Sequence, residues 1–179
     1  MNVTVYLGAN EGNDPELARA VESFGAWIGT SGNSLVYGGS KSGLMGRIAM
    51  AALAAGAQVT GVEPQFFIDA EKQLDGLTEL IVTPDIATRR AKMIELGDAF
   101  VAFPGGTGTL EEVSEVMSMS CLGRLEAPVV LFNLNGFYDG LKMQLARMVQ
   151  TGLTTPERLM DVRIVDTLAD IERVIEAVR

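Results

Sequence analysis

The chain has 179 residues, of which 47% are hydrophobic, and its 14 basic and 23 acidic side chains give a formal net charge of −9. This composition predicts one folded domain over residues 1–179 and excludes a disordered chain. The acidic balance argues against nucleic acid as a partner, because binding to phosphates in general needs a basic surface. The absence of histidine excludes His-dependent triads and His zinc sites.

The single cysteine, Cys121, excludes an internal disulfide framework and argues against a cysteine-based metal site. The first residues lack the basic and apolar regions of a signal peptide, and the apolar stretch 48–55 is too short to span a bilayer. We therefore expect a cytoplasmic protein with no membrane partner and no metal.

Short β-branched runs alternate with longer helical patterns from one end of the chain to the other. The first helix, for example, is signalled by Asp14 followed by Pro15. In chain order the sequence predicts strand 3–7, helix 15–28, strand 34–37, helix 43–55, strand 58–62, a short helix 68–74, strand 80–82, helix 84–96, strand 99–103, helix 110–122, strand 129–132, helix 137–150, strand 163–165 and helix 168–178.

This alternation predicts a single doubly wound, Rossmann-like α/β domain with a mainly parallel sheet of about seven strands and helices on both faces. The nearly continuous apolar runs 99–103 and 129–132 are typical of strands that are buried on both sides. Ligands bind beyond the carboxyl ends of the strands in such sheets. The loops that follow strands are therefore where functional residues are expected.

A first glycine-rich loop, residues 38–46, joins a predicted strand to a predicted helix. Gly39, Ser40 and Gly43 could bring the backbone close to an anion at the N-terminus of that helix. The loop has neither the Walker A spacing nor a regular GxGxxG pattern. A tight turn whose glycines permit close helix–sheet packing is an equally good interpretation.

A second glycine-rich loop gives a stronger indication of phosphate binding. Gly105, Gly106, Thr107, Gly108 and Thr109 place three glycines and two hydroxyls between a buried strand and a helix. Successive backbone N–H groups in such a turn form a concave anion site, which the positive end of the helix dipole supports. An acidic protein can hold a phosphate in this way without a basic surface.

Two adjacent glutamates follow this loop, and each has two interpretations. Thr109 and Glu112 fit a capping box, with Thr109 as the N-cap. Alternatively, Glu112 could reach the ribose of a nucleotide and stabilise an oxocarbenium-like transition state or orient water. Glu115, one turn further, could assist this chemistry or simply be solvated.

The helix predicted after Pro84 carries Arg89 and Arg90 beside its apolar face. A guanidinium near an apolar face needs a partner, since an unpaired buried charge is costly. The two arginines could snorkel or form salt bridges with neighbouring glutamates, or they could grip a phosphate or ribose.

The two glycine-rich loops and the arginine pair together resemble a known family. Residues 104–112 match the PGGxGTxxE signature of the Lonely guy (LOG) family, whose members are often mislabelled as lysine decarboxylases. Residues 38–46 are similar to that family's GGG-x-x-GLMG loop, and Arg89-Arg90 stands at its Arg-Lys pair. The resemblance extends over nearly the whole chain. The chain departs from the family pattern at Ser40, at Arg90 and at Ile86-Ala87, where the family has Met-His.

The resemblance implies a Rossmann-like homodimer or higher homo-oligomer that hydrolyses the N-glycosidic bond of nucleoside 5′-monophosphates. The products would be a free base, such as a cytokinin or another purine, and ribose 5-phosphate. The resemblance also assigns roles to individual residues: Arg89 and Glu112 as the catalytic pair, residues 105–109 as the phosphate loop, and Glu71 as a substrate contact.

Our leading hypothesis is therefore a phosphoribohydrolase that needs no cofactor. Pyridoxal phosphate would need a Schiff-base lysine, and no lysine lies in a context typical of one. The alternative is a non-catalytic carrier or sensor of a nucleotide or of a phosphorylated pterin such as the molybdenum cofactor, built on the same fold.

Overall fold

A single sheet carries the seven strands found among the residues that the computed structural model describes, 1–70 and 72–178. The strands are β1 (Asn2–Tyr6), β2 (Ser34–Tyr37), β3 (Val59–Pro64), β4 (Glu79–Thr83), β5 (Ala99–Ala102), β6 (Val129–Phe132) and β7 (Val162–Val165). They pair in the order β4-β3-β2-β1-β5-β6-β7, and every pair is parallel. The predicted doubly wound sheet is thus confirmed.

Seven α-helices in the described part of the chain connect or follow these strands. They are α1 (Pro15–Thr30), α2 (Gly43–Ala54), α3 (Gln65–Asp69), α4 (Ile86–Leu96), α5 (Thr107–Cys121), α6 (Asp139–Gln150) and α7 (Leu168–Glu176). Across residues 1–70 and 72–178, none of the helices is long and apolar enough to cross a membrane.

Alternate strand residues face two separate apolar layers, one on each side of the sheet. Val3 and Val5 pack in the layer formed with α1, α2 and α7, whereas Tyr6 packs in the layer formed with α4, α5 and α6. In β5, Val101 faces the first layer and Phe100 the second. Strands that are buried on both faces explain why the sequence shows continuous apolar runs here instead of an alternating pattern.

Several predicted helices begin elsewhere than expected, among them the helix predicted from 110, which begins at Thr107, and the helix predicted from 137, which begins at Asp139. The short helix predicted at 68–74 lies at Gln65–Asp69, because the following residues pair with the first glycine-rich loop instead. The amide of Lys41 donates to the carbonyl of Lys72, and the amide of Leu74 donates to the carbonyl of Gly39. Helix α4 begins at Ile86 rather than at Pro84, since the Asp85 carboxylate caps it by accepting from the Thr88 amide over 2.7 Å.

The sheet changes its direction of growth between β1 and β5. Strands β2, β3 and β4 extend the sheet to one side of β1, and β5, β6 and β7 extend it to the other. Loops that leave neighbouring strands in opposite directions open a crevice at the carboxyl edge of the sheet. The loops after β1 and β5 therefore flank the place where a ligand is expected.

Candidate active site

A cavity of about 660 Å³ lies at this crevice. Its walls come from the loop after β1, the start of α2, the loop and helix start after β5, and one side of α4. Residues from the loop after β6 also contribute. The lining residues are Leu7, Gly8, Ala9, Asn10, Gly12, Asn13, Asp14, Leu17, Leu44, Met45, Phe67, Ile86, Arg89, Arg90, Pro104, Gly105, Gly106, Thr107, Gly108, Thr109, Glu111, Glu112, Leu134, Asn135 and Phe137.

The second glycine-rich loop forms the N-terminus of α5 and opens into this cavity. Gly106 is the N-cap, its backbone is extended, and no side chain caps the helix. The first N–H groups of a helix have no carbonyl partner within it, so they are available to an acceptor from outside. A Cβ atom at Gly106 or at Gly108 would meet nothing within 4 Å, which means that both glycines border open space.

The predicted capping box at Thr109 is wrong. The helix begins at Thr107, so Thr109 is its third residue and Glu112 lies in its second turn. Gly106, which follows Pro104-Gly105, provides the extended N-cap backbone, and the helix starts directly after it. Glu112 is therefore not engaged in capping, and its carboxylate is available for other contacts.

Arg89 and Glu112 form a buried ion pair at the cavity wall. The Nη1 atom of Arg89 lies 2.6 Å from Oε1 of Glu112, and their side chains are only 13% and 10% exposed. Arg89 is also held from the sheet side, because its Nε donates to the carbonyl of Val62 over 2.9 Å. Burial raises the pKa of the Glu112 carboxyl, and the positive charge of Arg89 opposes this shift.

Arg90 bridges two more glutamates of α5. Its Nε donates to Glu115 over 2.7 Å and its Nη1 donates to Glu111 over 2.8 Å. The salt-bridge interpretation of both arginines is thus confirmed, and both of them line the cavity as well. The three ion pairs of Arg89 and Arg90 fix α4 against α5, and the two arginines line the cavity together with Glu111 and Glu112.

Of the first glycine-rich loop, Leu44 and Met45 line the cavity, whereas Gly39, Ser40 and Gly43 are not among its lining residues. Ser40 pairs with Gln73 in an isolated bridge, and its hydroxyl accepts from the Ser42 amide over 3.1 Å. Gly43 has a positive φ of 55°, and a Cβ there would overlap the carbonyl of Ala9. Close packing of this loop against the loop after β1 is what the glycine permits. Glu71 lies outside the described residues.

Several residues of the site were not predicted from the sequence. The cavity includes Asn135, which donates to the carboxylates of Asp14 and Glu16 over 3.0 and 3.2 Å, and Phe137 beside it. Their position directly after strand β6 could have indicated that they belong to the site, because the loop after β6 lies at the same carboxyl edge of the sheet as the loops after β1 and β5. Glu63, near the end of β3 and not a residue of the cavity lining, was also not singled out from the sequence.

The described residues contain no group of side chains suited to bind a metal ion. Among them, no three side chains of the His, Cys, Asp or Glu type form a group that could hold a metal ion. The site as described consists of main-chain amides, two arginines and the carboxylates of α5.

Comparison with solved structures relates the fold to a group of cofactor-binding proteins. The molybdenum cofactor binding protein from the phototrophic bacterium Rippkaea orientalis matches with a TM-score of 0.73 over 99% of this chain and 96% of that one. The two sequences are 21% identical, so this likeness concerns the fold alone.

Sequence comparisons identify the family. A family model described as "Possible lysine decarboxylase" matches residues 45–175. A cytokinin riboside 5′-monophosphate phosphoribohydrolase from Rhodococcoides fascians is 42% identical over 179 residues, which cover 99% of this chain and 89% of that protein. A protein of the same name from Mycobacterium tuberculosis is 34% identical over 171 residues, covering 96% and 91%. These matches show that the chain belongs to the LOG family.

Proposed function

We propose that this protein hydrolyses the N-glycosidic bond of nucleoside 5′-monophosphates and releases a free base and ribose 5-phosphate. The observation that carries the proposal is the position of the Arg89–Glu112 pair, which lines the same cavity as the N-terminus of α5. An anion site and a carboxylate a few residues apart fit the two ends of a ribose 5-phosphate. The relatives that are named phosphoribohydrolases support the same reaction.

The 5′-phosphate would bind to the main-chain amides at the start of α5. Gly106 and Gly108 leave open space there, and Thr107 is exposed with its hydroxyl on the same turn. The helix dipole favours a negative charge at this end. This arrangement binds an anion without the basic surface that the chain lacks.

Glu112 would act on the ribose, one and a half turns further along α5. In the reaction the oxygen of water bonds to the anomeric carbon, the carbon–nitrogen bond breaks, and the base leaves with the bonding electrons and takes up a proton. Positive charge develops on the sugar as the bond breaks, and a carboxylate stabilises this charge or orients the water. Arg89 would position Glu112 and the sugar, while Arg90 with Glu115 would brace the helix.

The base would lie against the apolar side of the cavity. Met45, Phe67 and Ile86 line it there, and Phe67 and Ile86 are 38% and 39% exposed. An apolar wall suits a purine or a cytokinin, which is a purine with an apolar substituent. The roles of Gly39, Ser40, Gly43 and Glu71 in substrate binding stay predictions.

A second copy of the chain would complete the working enzyme, as a homodimer or a higher homo-oligomer. Exposed apolar side chains cluster on α3, on the edge strand β4 and at the start of α4, where Phe66, Leu80, Val82 and Ile86 are between 37% and 46% exposed. Patches of this kind mark protein interfaces. A cytoplasmic location is part of the proposal, and the free thiol of Cys121 is consistent with a reducing compartment.

Incubation with AMP and with isopentenyl-AMP, followed by chromatography of the free base, tests the proposal. Wild type should release base, Glu112→Gln should lose this activity, and Glu95→Gln should keep it. Glu95 is a suitable control because it is an exposed glutamate of α4 that pairs with Lys92 and does not line the cavity. A nucleotide that stays bound through purification with no turnover would instead identify a carrier.

A further inference from the structure

Glu63 is a buried carboxylate for which the proposed reaction gives no role. It lies near the end of β3, its side chain belongs to a residue only 1% exposed, and neither carboxylate oxygen has a hydrogen-bond partner among the described residues. Buried polar groups in folded proteins are normally hydrogen-bonded, and an unpaired carboxylate is especially costly. Such a group calls for a partner in some state of the protein.

Arg89 is the cation that faces this carboxylate. Its Nε already donates to the carbonyl of Val62, the residue that precedes Glu63 in the strand. Its Nη2 atom lies against Gly38, where a Cβ would overlap it, while Oε2 of Glu63 stands 3.0 Å from the place of a Cβ on Gly39. The guanidinium and the carboxylate thus contact two consecutive glycines of one loop.

Two groups from other elements, Arg89 and Tyr37, influence the charge of Glu63. Burial raises the pKa of its carboxyl to about 7, and Arg89 from α4 opposes that shift. The hydroxyl of Tyr37, from β2, also faces it, and the negative charge of Glu63 adds to burial in raising the pKa of Tyr37. Tyr37 is buried and its hydroxyl, like Glu63, has no hydrogen-bond partner in the described residues.

We propose that Glu63 is a positioning residue that serves as a second counter-ion for Arg89 when Glu112 turns from Arg89 to the substrate. This inference rests on the proposed function. In the structure, the Glu112 carboxylate neutralises the charge of Arg89 through an ion pair of 2.6 Å. A carboxylate that faces the anomeric carbon gives up part of this contact, and Arg89 would then be a buried cation without compensation. Glu63, the residue that follows the Val62 carbonyl held by Arg89, supplies the replacement charge.

Stability measurements test the pairing without any need for turnover. Urea midpoints at pH 8 are compared for wild type, Glu63→Gln, Glu112→Gln and the double variant. In the wild-type background, Glu63→Gln should raise the midpoint, because it removes an unpaired buried charge. In the Glu112→Gln background, the same change should lower the midpoint, because Glu63 is then the partner of Arg89. Glu63→Leu replaces Glu63→Gln if the amide variant does not fold.

The pH dependence of kcat gives a second test, because a purely structural role of Glu63 would not change it. Glu63→Gln should lower kcat roughly tenfold at pH 8, a loss of about 1.4 kcal/mol, and change KM for AMP little, because the phosphate loop is intact. We expect the wild-type kcat profile to show an ionisation near neutral pH, and Glu63→Gln should remove it. Tyr37→Phe, an equally buried change that leaves the carboxylate in place, should retain this ionisation.

A midpoint change of the same sign in both backgrounds overturns the inference, and so does a Glu63→Gln profile that matches wild type. In either case the proposed function stands as long as wild type releases base. If wild type releases no base, the proposed function fails, and the sign of the urea midpoints alone decides whether Glu63 pairs with Arg89.

Discussion

The guanidinium of Arg89 donates to the carboxylate of Glu112 over 2.6 Å while a second nitrogen of the same group donates to the carbonyl of Val62 over 2.9 Å. One side chain therefore joins α4 to α5 and to the end of β3. A planar guanidinium can make both contacts at fixed angles, whereas a single ammonium cannot. The orientation of Glu112 in the cavity depends on this double anchor.

Arg89→Lys should therefore impair catalysis even though it keeps the charge. We expect kcat for AMP to fall roughly 100-fold, within the range that a misplaced catalytic carboxylate costs. Arg147→Lys, an exposed change on α6, is the matched control and should leave kcat unchanged. Initial rates of base release measure both variants, and a fully active Arg89→Lys protein would contradict the role given to the guanidinium geometry.

Gly106→Ala should weaken phosphate binding without harming the fold. The backbone at Gly106 has a φ of −87°, which alanine adopts readily, and a Cβ there meets no atom within 4 Å. The added methyl group would occupy space at the helix N-terminus where the phosphate is expected. We predict a roughly tenfold higher KM for AMP with a smaller change in kcat.

Gly140→Ala in α6 is the control for this experiment, because a Cβ at Gly140 also meets nothing within 4 Å and Gly140 is not a cavity residue. Both variants should unfold at temperatures close to that of wild type. Equal KM values for the two variants would argue against a phosphate site at the start of α5.

Gly38→Ala should inactivate the enzyme by moving Arg89. A Cβ at Gly38 would overlap Nη2 of Arg89 and come within 2.8 Å of the Met45 sulfur. The guanidinium would have to leave its position beside Glu112, so base release should fall at least as far as in Arg89→Lys.

Gly29→Ala separates this local effect from general destabilisation. A Cβ at Gly29 would lie 2.6 Å from the backbone of Ala55, where α1 packs on the end of α2. Overpacking of this kind costs about 1–3 kcal/mol of unfolding free energy. Gly29→Ala should thus unfold more easily in urea yet keep its kcat at 25 °C, and a parallel loss of kcat in both variants would refute the local explanation.

The sequence was sufficient to predict the sheet and the loops beside which a ligand is expected to bind. The apolar run 129–132 coincides with β6 as observed, and the loop after β5 lies at the cavity as predicted. These features depend on local patterns: β-branched and apolar runs for buried strands, and glycines between a strand and a helix. Such patterns survive in the sequence because each is confined to a few consecutive residues.

The features that the sequence did not predict correctly depend on contacts between residues that are distant in the chain. Thr109 resembles an N-cap in sequence, but α5 begins two residues earlier, in a glycine- and threonine-rich segment that has low intrinsic helix propensity. Glu63 follows an apolar run, and a glutamate there is most simply interpreted as the solvated end of a strand. Arg89, Tyr37 and the first glycine-rich loop, all from other parts of the chain, surround it in the folded structure.

The burial of Glu63 should make the stability of the protein fall as pH rises toward 7. The pKa of this carboxyl is raised from 4.5 to about 7 in the folded state. A group with a raised folded-state pKa contributes stability that is fully present below the unfolded value and is lost as pH rises through the folded value. The window for Glu63 therefore extends from about pH 4.5 to just above pH 7. Since one pKa unit corresponds to about 1.36 kcal/mol, the loss over this window is roughly 3 kcal/mol.

Glu63→Gln removes this titration and should flatten the curve of unfolding free energy against pH in that window. Unfolding in urea at half-unit steps from pH 4.5 to pH 8.5 measures the curves, and the difference between variant and wild type isolates Glu63 from the other carboxylates. Glu79→Gln, an exposed change on the edge strand β4, should run parallel to wild type. A Glu63→Gln curve that also runs parallel to wild type would mean that the Glu63 carboxyl titrates alike in the folded and unfolded chains, which its burial beside Arg89 does not allow.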